Sequence, residues 1–205
     1  TPETIDGGAG VDILFFNVAA GSTITASDIS NVSNVELFYF SSTGADTVTF
    51  NDAYFSNAGV TSQIVRDFGA NGAIDSFTVT ASALSAANSV TTQHKLTTAV
   101  TESLTGGAGN DNFQFTTNVA TILVTGDTVN GGKGDDTLQI TVGSAELTQA
   151  TQSGVSNVET IEFIGTAGVA ANYTLADSTF VTSSLASTSG NGTTAEITGV
   201  VDASG

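Results

Sequence analysis

Gly106-Gly107-Ala108-Gly109-Asn110-Asp111-Asn112-Phe113 and Gly131-Gly132-Lys133-Gly134-Asp135-Asp136-Thr137-Leu138 are two copies of one pattern, Gly-Gly-x-Gly-x-Asp-x-apolar. A third copy reads Gly7-Gly8-Ala9-Gly10-Val11-Asp12-Ile13-Leu14. Glycines admit positive φ and therefore a tight, exposed turn. Such a turn aims successive carbonyl oxygens at one spot. The aspartate at its sixth position adds an anionic oxygen, and the apolar residue two places later anchors a strand in the core. Carbonyls and carboxylates in a flexible turn make a hard, oxygen-only cage, which suits Ca2+ better than Zn2+ or copper. Mg2+ fits less well because it demands rigid octahedral geometry and keeps its waters. One turn offers only about half of the 6–8 oxygens that calcium takes, so a second turn has to face it. Gly106 and Gly131 stand 25 residues apart, enough for two strands and a return turn, and these two turns are expected to share ions.

The composition points the same way. The chain has 205 residues, 20 of them acidic and 3 basic, for a net charge of −17. Phosphate neutralisation needs clustered Lys and Arg, so nucleic acid is excluded as a partner, and an anionic membrane surface is disfavoured. A folded chain this acidic repels itself unless a cation neutralises it. With charged residues at only 11% and hydrophobic residues at 40%, it is not a disordered acidic tail. Thr, Ser, Val, Ala and Gly dominate, and good helix formers are scarce, which favours strands. The absence of cysteine means that no disulfide braces the fold. No stretch is long and apolar enough for a membrane span.

Working outward from the turns, the chain repeats itself. Each outer glycine motif is followed by Val-Ser-Asn-Val-Glu, as Val32-Ser33-Asn34-Val35-Glu36 and as Val155-Ser156-Asn157-Val158-Glu159. Then come Asn51-Asp52-Ala53-Tyr54-Phe55 and Ala176-Asp177-Ser178-Thr179-Phe180. The offsets are 124 from Asp12 to Asp136, 123 from Val35 to Val158 and 125 from Phe55 to Phe180, which marks an internal duplication. Two segments follow from it. Residues 1–103 hold the first copy, and residues 104–205 hold the paired glycine motifs and the second copy; the two form one continuous solenoid as the alternative. Short β-rich runs are expected at Ile13 to Val18, Val35 to Phe40, Thr47 to Phe50, Phe77 to Val79, Phe113 to Phe115, Thr137 to Val142 and Thr160 to Ile164. Ala145 to Gln152 and Ala81 to Asn88 are the helix candidates. Both termini lie inside repeat-like sequence, so the chain reads as a segment of something longer.

Two further places offer acidic turns. Gly44-Ala45-Asp46-Thr47-Val48 keeps the second half of the glycine motif, and Asp67 to Asp75 is rich in Gly and Asp. Asp46, Asp67 and Asp75 are therefore candidate ligands.

The glycine motifs resemble the nonapeptide repeats of repeats-in-toxin (RTX) proteins, and the Val-Ser-Asn-Val-Glu stretches look like those of RTX-type bacterial surface-layer proteins and large adhesins. The resemblance implies an all-β, right-handed parallel β-helix or β-roll solenoid stabilised by Ca2+, together with type I secretion to the cell surface. It implies as ligands the backbone oxygens of Gly7, Gly8, Ala9, Gly10, Gly106, Gly107, Ala108, Gly109, Gly131, Gly132, Lys133 and Gly134. It adds the carboxylates of Asp12, Asp111 and Asp136. RTX rolls stack their motifs in short, regular coils, whereas here the spacings are 99 and 25, so the coils are expected to be irregular and longer.

The remaining chemistry is sparse. His94 is the only histidine and has no cysteine to join it, so it is expected in an exposed loop rather than at a zinc or catalytic centre. In Asp135-Asp136 a ligand beside a solvated neighbour is expected, not an acid–base pair. Glu36 and Glu159 occupy matching places and read as residues ending a coil, with ligation as the alternative. Leu37-Phe38-Tyr39-Phe40 reads as core plus a contact surface. The many Ser and Thr are candidates for glycans or for outward hydroxyl ladders. No catalytic constellation is present. The expected role is a structural repeat of an extracellular calcium-dependent surface layer, sheet or fibre. Its expected partner is itself, in a lattice or filament, with cell-surface polysaccharide as a further candidate. An adhesin module and a calcium-binding accessory domain of a secreted enzyme are the alternatives.

Overall fold

A computed structural model describes residues 3–17, 21–41, 44–67, 76–94, 100–116, 126–142, 153–165 and 184–188. Its strands run β1 (Ile5–Asp6), β2 (Ile13–Phe16), β3 (Thr23–Ile24), β4 (Val32–Ser33), β5 (Leu37–Phe40) and β6 (Asp46–Asn51). A short helix α1 (Asp52–Ala58) precedes β7 (Ser62–Asp67), β8 (Ser76–Ala83), β9 (Ser89–His94), β10 (Thr101–Thr105) and β11 (Asn112–Phe115). The chain continues through β12 (Thr128–Asn130), β13 (Thr137–Val142), β14 (Val155–Ser156), β15 (Thr160–Gly165) and β16 (Ser184–Thr188).

From β5 to β15 successive strands go to opposite walls. An eight-stranded sheet is ordered β16-β15-β13-β11-β9-β7-β5-β2, and a six-stranded sheet is ordered β14-β12-β10-β8-β6-β3. Strands β1 and β4 form a third, two-stranded patch. Pairing is parallel throughout, as in Ile13↔Leu37, Leu37↔Ile64 and Asn112↔Thr137. Parallel neighbours joined through a strand on the other wall make a β-solenoid, as expected from the sequence. Coil length varies: equivalent corner residues are 24, 27, 21, 25 and 23 apart along the chain.

Period-two alternation builds the core. In β6, Val48 and Phe50 are buried between half-buried Thr47 and Thr49; in β11, Phe113 and Phe115 alternate with Asn112 and Gln114. Inward residues of both walls meet in one hydrophobic cluster from Ile29 to Ile161. Truncating a fully buried ring such as Phe113 costs about 3–5 kcal/mol.

The helix expected over Ala81 to Asn88 does not form. Residues 81–83 extend β8, where Ala81 faces the core, and a turn follows. Small residues fit equally under a packed strand, and pairing with β6 and β10 decides the matter. Ala145 to Gln152, and the second-copy stretch Ala176 to Phe180, lie outside the described residues. The helix that does form, α1, was not foreseen. Asn51 caps it by accepting from Tyr54 N at 3.0 Å, Gly59 ends it at φ 71°, and Tyr54, Phe55 and Ala58 bury its inner face.

Candidate functional site

The glycine turns meet backbone to backbone. Lys133 N donates to Gly107 O at 2.9 Å, and Gly106 N donates to Asn130 O at 2.8 Å. A methyl on Gly132 would lie 2.2 Å from Gly107 O, and one on Gly134 would lie 2.5 Å from Gly109 O. Only glycine permits this approach, and φ is 102° at Gly132 and 119° at Gly134. The turns at Gly106 and Gly131 are thus neighbours in successive coils, as their spacing leads one to expect. The second turn is backed in its turn by the loop before β9, where Ala108 N donates to Leu84 O at 3.1 Å.

The Val-Ser-Asn-Val-Glu stretches prove to be the same corner one coil later. Gly131 N donates to Ser156 O at 3.1 Å, and Gly7 N donates to Ser33 O at 3.0 Å. Asn34 and Asn157 take φ of 51° and 49°, a left-handed bend that asparagine tolerates. Their side chains bridge back one coil, Asn34 Nδ2 to Asp6 Oδ1 at 2.7 Å and Asn157 Nδ2 to Asn130 Oδ1 at 2.8 Å.

At the entrance to the eight-stranded sheet this corner carries a column: Asp12, Glu36, Gln63, Val90, Asp111, Asp136 and Glu159. Each acid after Asp12 accepts the backbone N–H of the coil before it. Asp12 N donates to Glu36 Oε2 at 2.9 Å, Val90 N to Asp111 Oδ1 at 2.6 Å, Asp111 N to Asp136 Oδ1 at 2.7 Å, and Asp136 N to Glu159 Oε2 at 2.8 Å. The turn aspartates thereby satisfy donors that the coil corner would otherwise bury unpaired. In mid-column the link to the neighbouring coil is made by a neutral side chain and runs the other way, from a side-chain donor to a backbone carbonyl. Gln63 Nε2 donates to Glu36 O at 3.0 Å, and the Tyr54 hydroxyl donates to Gln63 Oε1.

Stacking acids one strand spacing apart has an electrostatic consequence. Burial pushes the Asp136 carboxyl up to about 7, and the charges of Asp111, Glu159 and Asp135 add to the rise against the pull of the Asp111 N–H. Burial likewise raises Asp111, opposed by the N–H groups of Val90 and Gly107. The second oxygens differ. Asp111 Oδ2 accepts from Gly107 N at 2.7 Å, while Asp136 Oδ2 and Asp12 Oδ2 are buried with no hydrogen-bond partner. An unpaired carboxylate oxygen beside a glycine turn fits a hard cation. Among the described residues no three His, Cys, Asp or Glu side chains converge closely enough to hold a metal ion.

The other candidate ligands go elsewhere. Asp46 stands at the entrance of the six-stranded sheet, where Ser22 N and Oγ both donate to its Oδ1 at 2.8 Å. It is not brought to the first glycine turn, because Asp46 opens β6, a strand of the opposite wall. Asp67 is no turn residue: it ends β7, fully buried, in register with His94. Asp75 lies outside the described residues. Of the remaining turn positions, Gly8 and Gly10 have positive φ with open space beside them, Ala9 is exposed, and Gly109 packs on Asn88 O.

A second acid column went unread in the sequence. Glu102 N donates to Asp127 Oδ1 at 2.9 Å across the same 25-residue step that separates Asp111 from Asp136, and that shared step was the available signal. His94 corrects the expectation of an exposed loop. It is 2% exposed, with its ring 4.9 Å from Phe115 and 5.6 Å from Phe77 and its Nδ1 2.9 Å from Glu102 Oε1. Strand β9 alternates Val90, Thr92 and His94 inward, so its one histidine falls on the core face. Burial alone would lower the imidazole pKa, but Glu102, with Asp67 and Asp127 beyond it, holds it above its ordinary value. No family, curated protein or solved structure matches the chain.

Proposed function

We propose that the chain is a calcium-stabilised structural module of an extracellular bacterial surface layer, sheet or fibre, with no catalytic role and with copies of itself as partner. Its coil is right-handed on this reading, the hand that parallel crossovers adopt almost without exception. The observation that carries the proposal is the buried, unpartnered Oδ2 of Asp136, whose pKa is raised by burial first and by the neighbouring acids of its column second. Asp136 Oδ2 would be the carboxylate oxygen that holds Ca2+, which would supply positive charge in place of the proton. The matching Asp12 Oδ2 offers a second such place.

The mechanism is linkage. Where calcium is scarce the acids repel and the chain is easily unfolded and exported. Outside the cell, binding to the folded form adds about 2.7 kcal/mol at a hundred times Kd. Circular dichroism and melting in EGTA and then in excess Ca2+ test this. Expected are a clear rise in melting temperature with calcium, and a larger loss of calcium affinity in Asp136→Asn than in Asp111→Asn, because both Asp111 oxygens already have donors. A melting temperature indifferent to calcium would sink the proposal. Sedimentation at millimolar Ca2+ addresses the assembly step, where a persistent monomer favours an adhesin or accessory-domain role instead.

A further inference from the structure

The outer face of the six-stranded sheet is far more uniform than strand propensity requires. Thr23, Thr47, Thr78, Ser103 and Thr128 form one outward column in consecutive register. Thr49, Thr80, Thr105, Asn130 and Ser156 form a second column, two residues further along each strand. Seven of these ten positions are threonine and none is charged, in a chain of net charge −17. All are half-buried or exposed, while the residues between them, Val48, Val79, Leu104 and Val129, are fully buried. Among the described pairs of this sheet the register shifts only between Thr49 and Asn51, past both columns.

The eight-stranded sheet supplies the control. Its equivalent outward column reads Phe15, Tyr39, Arg66, Gln93, Gln114, Gln139 and Glu162, mixed in size, polarity and charge. Threonine occurs on this wall too, as Thr91, Thr137 and Thr160 in the adjoining outward column Ile13, Leu37, Ile64, Thr91, Asn112, Thr137 and Thr160, but there it does not form two neighbouring uncharged columns.

The geometry points to an ice-binding face. Neighbouring strands repeat at about 4.8 Å, and alternate residues along a strand repeat at about 6.6 Å. The two columns therefore present a rectangular net whose repeats lie close to oxygen spacings in hexagonal ice. Threonine suits each node: its methyl orders the water beside it and its hydroxyl hydrogen-bonds to that water. The β-branched side chain is stiff at χ1, so the net is organised before it meets the lattice. Thr128 Oγ1 donates to Ser103 Oγ at 3.1 Å, which ties adjacent nodes together. A charged side chain at any node would hold its own hydration shell and break the match, and the face carries none. The inference requires the folded chain but no bound calcium, so it stands or falls separately from the calcium reading.

The test is the growth of ice in a solution of the full chain, folded as judged by circular dichroism. Expected are faceted crystals and a gap between melting and freezing temperatures. Thr80→Tyr, in the middle of the net, is expected to abolish the gap with an unchanged spectrum, whereas Gln114→Tyr on the opposite wall leaves it intact. Should Thr80→Tyr misfold, Thr105→Lys, whose long side chain can reach clear of the sheet, is expected to show the same loss. Rounded crystals without a gap from the folded chain would overturn the inference. So would a gap that survives Thr80→Tyr, or retention on crystalline chitin or cellulose with no effect on ice.

Discussion

The first and third glycine turns share a motif but not a setting. The third is held on both sides: Gly132 and Gly134 press on the carbonyls of Gly107 and Gly109, and Gly131 presses on Asn157 O. The first is backed by Asn34 alone. Nothing lies within 4 Å of the side-chain positions of Gly8 and Gly10, and its strand β2 is an edge on which Ile13 and Phe15 are more than half exposed. The same residues therefore do two jobs. In the third turn Gly132 and Gly134 are needed for space and for φ; in the first, Gly8 and Gly10 are needed for φ alone, and only Gly7, against Asn34 O, is needed for space. A motif specifies a local conformation, and its place in the stack specifies what that conformation touches.

The sharpest way to break this comparison is a matched pair of substitutions. Gly132→Ala drives a methyl into Gly107 O and is expected to cost about 4 kcal/mol or more, while Gly8→Ala meets only the penalty of positive φ, about 1–2 kcal/mol. Chemical denaturation of both variants checks it, and equal losses would show that the turns do not stack. A second test concerns charge. The Asp136 carboxyl titrates near 7 when folded against an ordinary value of 3.8, so the folded state binds the extra proton and stability in chelator falls as pH rises from about 4 to 7. Asp136→Asn removes most of that fall, and saturating Ca2+ also flattens it by replacing the proton. A slope that persists in Asp136→Asn would move its origin to another acid. The smallest effect tests the sameness of the two copies rather than their difference. Asn34→Ala and Asn157→Ala each place alanine at φ near 50° and delete one bridging hydrogen bond, so both are expected to cost about 1–2 kcal/mol and to match within about 0.5 kcal/mol.

Much of the corner was legible in the residues. Alternation marked β6, β11 and β13, the 25-residue step brought the second and third turns together, and duplication tied Val-Ser-Asn-Val-Glu to the glycine motif. What escaped was whatever lacked a local signal. Strands β7 and β9 carry few apolar residues, Ser62-Gln63-Ile64-Val65-Arg66-Asp67 and Ser89-Val90-Thr91-Thr92-Gln93-His94, and they exist because strands on either side pair with them. His94, Asp67 and Glu102 look like surface residues by type; they are buried because the alternation of their strands points them inward. Their mutual charges make that burial tolerable, and breaking such a pair by truncating one partner costs about 3–5 kcal/mol.

By itself, then, the sequence determined the local conformations: left-handed glycines and asparagines at the corners, alternating strands between them, and an excess of acid that asks for a cation. Those are properties of a few neighbouring residues and of overall charge. Only the tertiary structure decided which other residues share a column: Asp136 with Glu159, Asp46 with Ser22, His94 with Asp67, and the threonines of the six-stranded sheet with one another. The reason is that coil length varies from 21 to 27 residues, so no single sequence period predicts the stacking. Register is set by closing each irregular coil on the core below it, where burying the inward side chains and pairing the corner N–H groups leave one alignment that satisfies both.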